Sequence, residues 1–133
     1  LHGGKEVLRG RKVLVVDDQD SGRKMTCLTL EQMGIRLIHE AENGVKAMQI
    51  ASLQPLDLII SDYYMDEMDG LDLLRAVRGH PVVRRCPFIL LTGRGDRELV
   101  VKAAQAGVNN YLIKPFTVDI LRQKIEQVMG KLS

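Results

Sequence analysis

Leu58-Ile59-Ile60-Ser61-Asp62 is an apolar run that ends in an acid, and Val13-Leu14-Val15-Val16-Asp17-Asp18 repeats the pattern nearer the start of the chain. Continuous runs of branched aliphatic residues suit strands that are covered on both faces in a parallel sheet. In open parallel sheets, ligands bind at the carboxyl ends of the strands. These runs therefore deliver three carboxylates, Asp17, Asp18 and Asp62, to the binding edge. Taken singly, each acid also reads as a loop residue or a helix cap. Three together, each at the end of an apolar strand, read as a divalent-cation site, because clustered carboxylates repel one another without a counter-charge. Mg2+ suits such a set: it takes few protein oxygens, keeps water and bridges to phosphate.

Working outward, strands are expected at 12–16, 37–41, 58–61, 88–91 and 111–113. The second of these, Leu37-Ile38-His39-Glu40-Ala41, is polar and alternating, which places it at a sheet edge. Helical stripes lie between the strands. Met25, Leu28, Leu30 and Met33 form the first, stopped by Gly34, and Val45, Met48 and Ala51 form the second, opened by Asn43-Gly44. Leu71, Leu74 and Val77 follow Asp69-Gly70 and precede Gly79, and Leu99, Val100 and Ala103 end at Gly107. Ile120, Leu121, Ile125 and Val128 form the last stripe, with Thr117 as N-cap and Gly130 as stop. Five β-then-α units with short connections predict a doubly wound α/β fold. Right-handed crossovers then put helices on both faces of a five-stranded parallel sheet. Strand order 2-1-3-4-5 brings the first and third strands side by side, and the three acids together.

The composition sets limits. A chain of 133 residues with 45% hydrophobic content is one domain able to bury a real core. No apolar run approaches the roughly 20 residues of a membrane span, and residues 1–10 show no signal-like apolar stretch. A cytoplasmic protein with no membrane partner is expected. A net charge of +2, no Trp and dispersed Lys and Arg argue against direct nucleic-acid binding. Cys27 and Cys86 have no metal-ligand spacing and read as packing residues, while His2, His39 and His80 are scattered singly. Residues 1–9 read as a flexible lead-in to a domain over 10–133, whose last helix runs almost to Ser133 with no room for an output domain.

Two more residues fall at the same sheet edge. Thr92 follows Phe88-Ile89-Leu90-Leu91, and Lys114 follows Tyr111-Leu112-Ile113. A hydroxyl and an ammonium beside three carboxylates would supply a neutral donor and a fixed cation for a phosphoryl oxygen. Gly93 would let a backbone N–H approach closely. Val15-Val16-Asp17-Asp18, Ser61-Asp62, Met68-Asp69-Gly70, Leu91-Thr92 and Tyr111-Leu112-Ile113-Lys114-Pro115-Phe116 together resemble the receiver domain of bacterial two-component response regulators, over about residues 10–130.

That resemblance implies a flavodoxin-like fold and a role for each matching position. Asp62 would accept a phosphoryl group from a sensor histidine kinase or phosphotransfer protein. Asp18 would bind Mg2+ directly, Asp17 mostly through water, and the Tyr64 carbonyl would add a ligand alongside Asp62. Thr92 and Lys114 would hold phosphoryl oxygens, and Tyr111 would swing inward when Thr92 moves. The face made by the fourth helix, fifth strand and fifth helix would then control a downstream target or output domain. Such a domain is a phosphoacceptor and not an enzyme in the ordinary sense. Lys114-Pro115 matches the family position of a cis peptide bond.

The chain also departs from the pattern. Asp66 stands where the family usually has Pro, which predicts a looser loop with added negative charge near the cation. Tyr64 puts a ring beside the path of attacking water. Gly107-Val108-Asn109-Asn110 lacks the acidic pair common in DNA-binding relatives and favours a chemotaxis-like, single-domain regulator. Arg94 and Arg97, opening the fourth helix, read as solvated or as partner contacts, and residues around Arg23 and Met25 as kinase-pairing surface. Rival readings are a receiver-like module that works without phosphorylation and a haloacid-dehalogenase-like Mg-dependent phosphatase, with Asp18-Gln19-Asp20 as its acid pair. A flavin protein fits poorly, because Asp17-Asp18-Gln19-Asp20 would repel the cofactor's phosphate.

Overall fold

The computed structural model describes residues 10–93 and 97–129. Strands β1 (Lys12–Val16), β2 (Leu37–Ala41), β3 (Leu58–Asp62), β4 (Phe88–Thr92) and β5 (Asn110–Ile113) alternate with helices α1 (Asp20–Gln32), α2 (Gly44–Leu53), α3 (Gly70–Gly79), α4 (Arg97–Gln105) and α5 (Val118–Met129). All strand pairs are parallel, in the order β2-β1-β3-β4-β5. The fold and the edge position of the polar second strand are as the sequence predicts. The lead-in at 1–9, Arg94 and the Gly130 stop lie outside the described residues.

Strand alternation divides the core in two. Val13, Val15, Leu58 and Ile60 pack with Cys27 and Leu30 of α1, with Met33 just after it, and with Leu121 and Ile125 of α5. Leu14, Val16, Ile59, Phe88 and Leu90 pack on the other face with Ala47, Ala51, Leu71, Leu74, Val77, Leu99 and Ala103. β3 and β4 are buried throughout, because both faces of the sheet are covered there.

The helix starts follow local chemistry. Asn43 accepts the Lys46 N–H at 2.8 Å, and Thr117 Oγ1 accepts the Ile120 N–H at 3.2 Å. Asp69 and Asp72 cap α3 reciprocally, at 2.8 and 3.2 Å. Gly34 and Gly107, at φ +94° and +91°, lie just past α1 and α4.

Four apolar residues assigned to buried stripes are instead exposed: Met25, Leu28, Val45 and Ile120. In α1 the buried positions are Thr26, Cys27, Thr29 and Leu30, followed by Met33 at the C-cap. Thr26 and Thr29 bury without penalty because their hydroxyls donate to the Gly22 and Met25 carbonyls, at 3.2 and 2.9 Å. Cys27 and Cys86 are free and buried, as expected of packing residues, and burial pushes each thiol up to about 11.

Candidate functional site

Backbone bonding continues one step past β1, β3 and β5 and fixes the residue after each of these three. The Asp17 N–H donates to the Ala41 carbonyl at 3.1 Å, Tyr63 N–H to Leu91 at 2.7 Å, and Lys114 N–H to Thr92 at 2.8 Å. Val16 pairs with Ser61, so Asp17 and Asp62 emerge side by side from β1 and β3. Asp62 pairs with Leu91, and Thr92 with Ile113, so Thr92 and Lys114 lie on the same edge.

Carboxylate oxygens of Asp17, Asp18 and Asp62 lie within 4.8 Å of one another. Asp17 and Asp62 are buried, and Asp18 is more open to solvent. Lys114 Nζ sits 2.8 Å from Asp62 Oδ1 and 3.6 Å from Asp17 Oδ2. Asp17 Oδ1 accepts the Gln19 N–H at 2.9 Å. Among the described residues, Asp17 Oδ2 is the buried side-chain oxygen that no hydrogen bond reaches. An orphaned, buried carboxylate oxygen aimed into an acid cluster is the donor set that a hard cation requires. Gly22 keeps that oxygen open, since a Cβ there would lie 2.7 Å from it.

Burial raises the Asp62 pKa; the Lys114 bond and charge oppose that shift, while Asp17 and Asp18 reinforce it. One ammonium thus does not neutralise three carboxylates. Gly70 allows this corner to close: its N–H donates to the Tyr63 carbonyl at 2.8 Å, and a Cβ would collide with the Asp62 carbonyl and Leu90. In the sequence Gly70 reads as part of a helix start and of the Met68-Asp69-Gly70 motif, and its closing of this corner is seen only in the structure.

The other site residues take distinct positions. Thr92 is buried at the end of β4, and Gly93 has open space around it. Tyr64 is exposed, with its ring edge-on to Tyr63 at 4.8 Å and 75°. Tyr111 is half-buried against the α4 side of the core, with Lys124 Nζ 5.6 Å from its ring centre. The Lys114-Pro115 peptide is cis.

Three expectations need correction. The loop after Asp62 is tied to the site and not loosened by Asp66, whose N–H donates to Asp18 Oδ2 at 3.2 Å. Arg23 is no free pairing surface: its side chain is 11% exposed and fully engaged. It donates to the Asp17 carbonyl at 2.8 Å, to Asp20 at 2.5 Å and to Glu40 at 3.0 Å. Burial works against this guanidinium, yet Asp20 and Glu40 together hold its pKa above the ordinary value. Asp20 is the third case. It is largely exposed on α1, paired with Arg23 and outside the acid cluster, where a phosphatase acid/base could not serve.

Comparison with known proteins agrees with this geometry. The family model described as response regulator receiver domain matches residues 13–126. The chain is 46% identical to a probable chemotaxis protein CheY of Rhizobium etli, over 91% of this chain and 94% of that protein. The crystallised chemotaxis protein CheY4 of Vibrio cholerae superposes with TM-score 0.83 at 32% identity, over 89% of this chain and 98% of that one. The receiver domain of the sensor histidine kinase PA1611 from Pseudomonas aeruginosa, solved with a magnesium ion in its active-site cleft, gives 0.82 at 29% identity, over 92% and 99%. This chain belongs to the response regulator receiver domain family.

Proposed function

We propose that the protein is a phosphorylation-dependent signalling receiver whose phosphoacceptor is Asp62. The observation that carries this reading is the buried Asp62 carboxylate, held at 2.8 Å by Lys114 within a cluster that leaves Asp17 Oδ2 without a hydrogen bond. Asp17, Asp18, Asp62 and the Tyr64 carbonyl would hold Mg2+. When bound, that ion supplies the positive charge that lets a carboxylate approach an anionic phosphoryl group.

The chain's own groups do the rest. An Asp62 oxygen attacks phosphorus in line as the N–P bond of a phosphohistidine breaks, and the donor imidazole leaves with the electron pair and takes up a proton. Lys114 Nζ and the Thr92 hydroxyl hold the equatorial oxygens as charge spreads over them. The reaction needs positioning more than basicity. The donor protein, a sensor histidine kinase or phosphotransfer domain, would dock over the groove of about 360 Å³ between Gly22, Met25, Thr26, Lys114, Pro115 and Phe116, which opens beside Lys114. Exposed Met25 supplies apolar surface there.

The acyl phosphate carries about two negative charges where the free carboxylate carried one, and adds three phosphoryl oxygens. Thr92 moving toward them vacates space for the half-buried Tyr111 ring, and the α4–β5–α5 face changes shape for a downstream protein. The receiver occupies residues 10–133 and works in the cytoplasm. Incubation with Mg2+ and acetyl phosphate followed by intact-mass spectrometry should add one phosphoryl group to the wild type and none to Asp62→Asn. Equal labelling of the mutant would refute the assignment.

A further inference from the structure

We propose that the backbone amide of Asp66 is a positioning donor that holds Asp18 in the cation site, a contact that a proline at this position cannot make. The inference rests on the reading of Asp17, Asp18 and Asp62 as a Mg2+ site. Asp18 is the most solvent-open of the three acids and is repelled by the other two, so its carboxylate favours rotating outward. Its Oδ2 instead accepts the Asp66 N–H at 3.2 Å. A carboxylate oxygen has two lone pairs, so accepting this bond leaves capacity for a cation.

The loop that presents the amide is itself pinned. Met68 N–H donates to the Asp66 carbonyl at 2.7 Å across Glu67, whose φ is +67°, which makes a tight three-residue turn. A non-glycine residue adopts that conformation only when its surroundings impose it. Two anchors do so. The Met68 side chain fills the notch left by Gly44, where any Cβ would overlap it, and Gly70 N–H closes the loop onto Tyr63. The amide is therefore fixed from the start of α2 while Asp18 is fixed by the amide. Donors in this outer position orient metal ligands, and their loss typically weakens binding by about ten-fold or more.

Asp66→Asn removes the side-chain charge and keeps the amide; Asp66→Pro removes both. In Mg2+ titrations followed by calorimetry, the Pro variant should bind about five-fold more weakly than the Asn variant, a smaller loss than for a buried donor because the bond is exposed. Equal or tighter binding by the Pro variant would overturn the proposal. Asp18→Asn should lose most Mg2+ affinity. Unchanged binding there would overturn the cation site and this inference with it, whereas a loss there with equal Pro and Asn affinities overturns the latch alone. Amide hydrogen exchange tests the bond without proline strain or metal. Exchange at Asp66 should be several-fold faster in Asp18→Ala than in the wild type, and unchanged exchange would show that the bond holds nothing.

Discussion

Asp62 is a carboxylate held in a place that disfavours its charge. Burial raises its pKa, Asp17 and Asp18 add to the shift, and Lys114 recovers only part of it. A raised folded-state pKa means that stability is fully present below the unfolded carboxylate pKa and is lost as pH rises through the folded value. Without Mg2+, Asp62→Asn should therefore be more stable than the wild type at neutral pH by roughly 1 kcal/mol, a few degrees in melting temperature. The gap should close as the solution is acidified and Asp62 protonates. A mutant less stable at every pH would show that the Lys114 bond outweighs the strain of burial. Tyr64 belongs to the same scale. Its exposed ring is braced edge-on by Tyr63, and the proposed function puts it beside the path of attacking water. Opening that path in Tyr64→Asn should speed loss of the phosphoryl group several-fold, read as decay of the phosphorylated mass after donor removal; an unchanged rate would leave the ring without a kinetic role.

Among elements, β1, β3, β4 and β5 were legible because each is an apolar run that ends at an acid, a hydroxyl or an ammonium, and β2 because its polar alternation marks an edge. Thr92 and Lys114 could be placed by counting from Leu91 and Ile113. The helix faces were less legible. Met25, Leu28 and Val45 are apolar yet exposed, since small or hydroxylated residues face the sheet where the helices approach it. Contacts made by backbone atoms or long cations across distant segments leave no periodic trace, and the Asp66 amide and Arg23 are of this kind. Arg78 is another. From the end of α3 it donates to the Gly107 carbonyl at 2.9 Å, Cys86 at 2.7 Å, Arg84 at 2.9 Å and Asn109 Oδ1 at 2.7 Å. Asn109 Oδ1 also accepts the Phe88 N–H at 2.8 Å, so one guanidinium joins α3, the start of β4 and the turn before β5. Arg78→Ala should cost about 2 kcal/mol in urea unfolding while leaving Mg2+ affinity unchanged. A loss below a few tenths of that would mean water replaces the clamp.

At the scale of the molecule, a sheet covered on both faces leaves its carboxyl edge as the place where charge can collect. Four of the five strands, β1, β3, β4 and β5, bring three acids, a hydroxyl and an ammonium there. Lys114 stands beside the α1 groove, and under the proposed function a charge change at Asp62 would link a donor docked there to a target on the α4–β5–α5 face. No helix among the described residues is long and apolar enough to cross a membrane. The proposed function requires the phosphoryl group to reside on Asp62 and on no other acid. Borohydride reduces an acyl phosphate to an alcohol and would convert a phosphorylated aspartate to homoserine. Treatment of the protein after acetyl phosphate and Mg2+, followed by peptide sequencing, should find homoserine at position 62 alone. Homoserine at position 17, 18 or 66, or at none, would contradict the account.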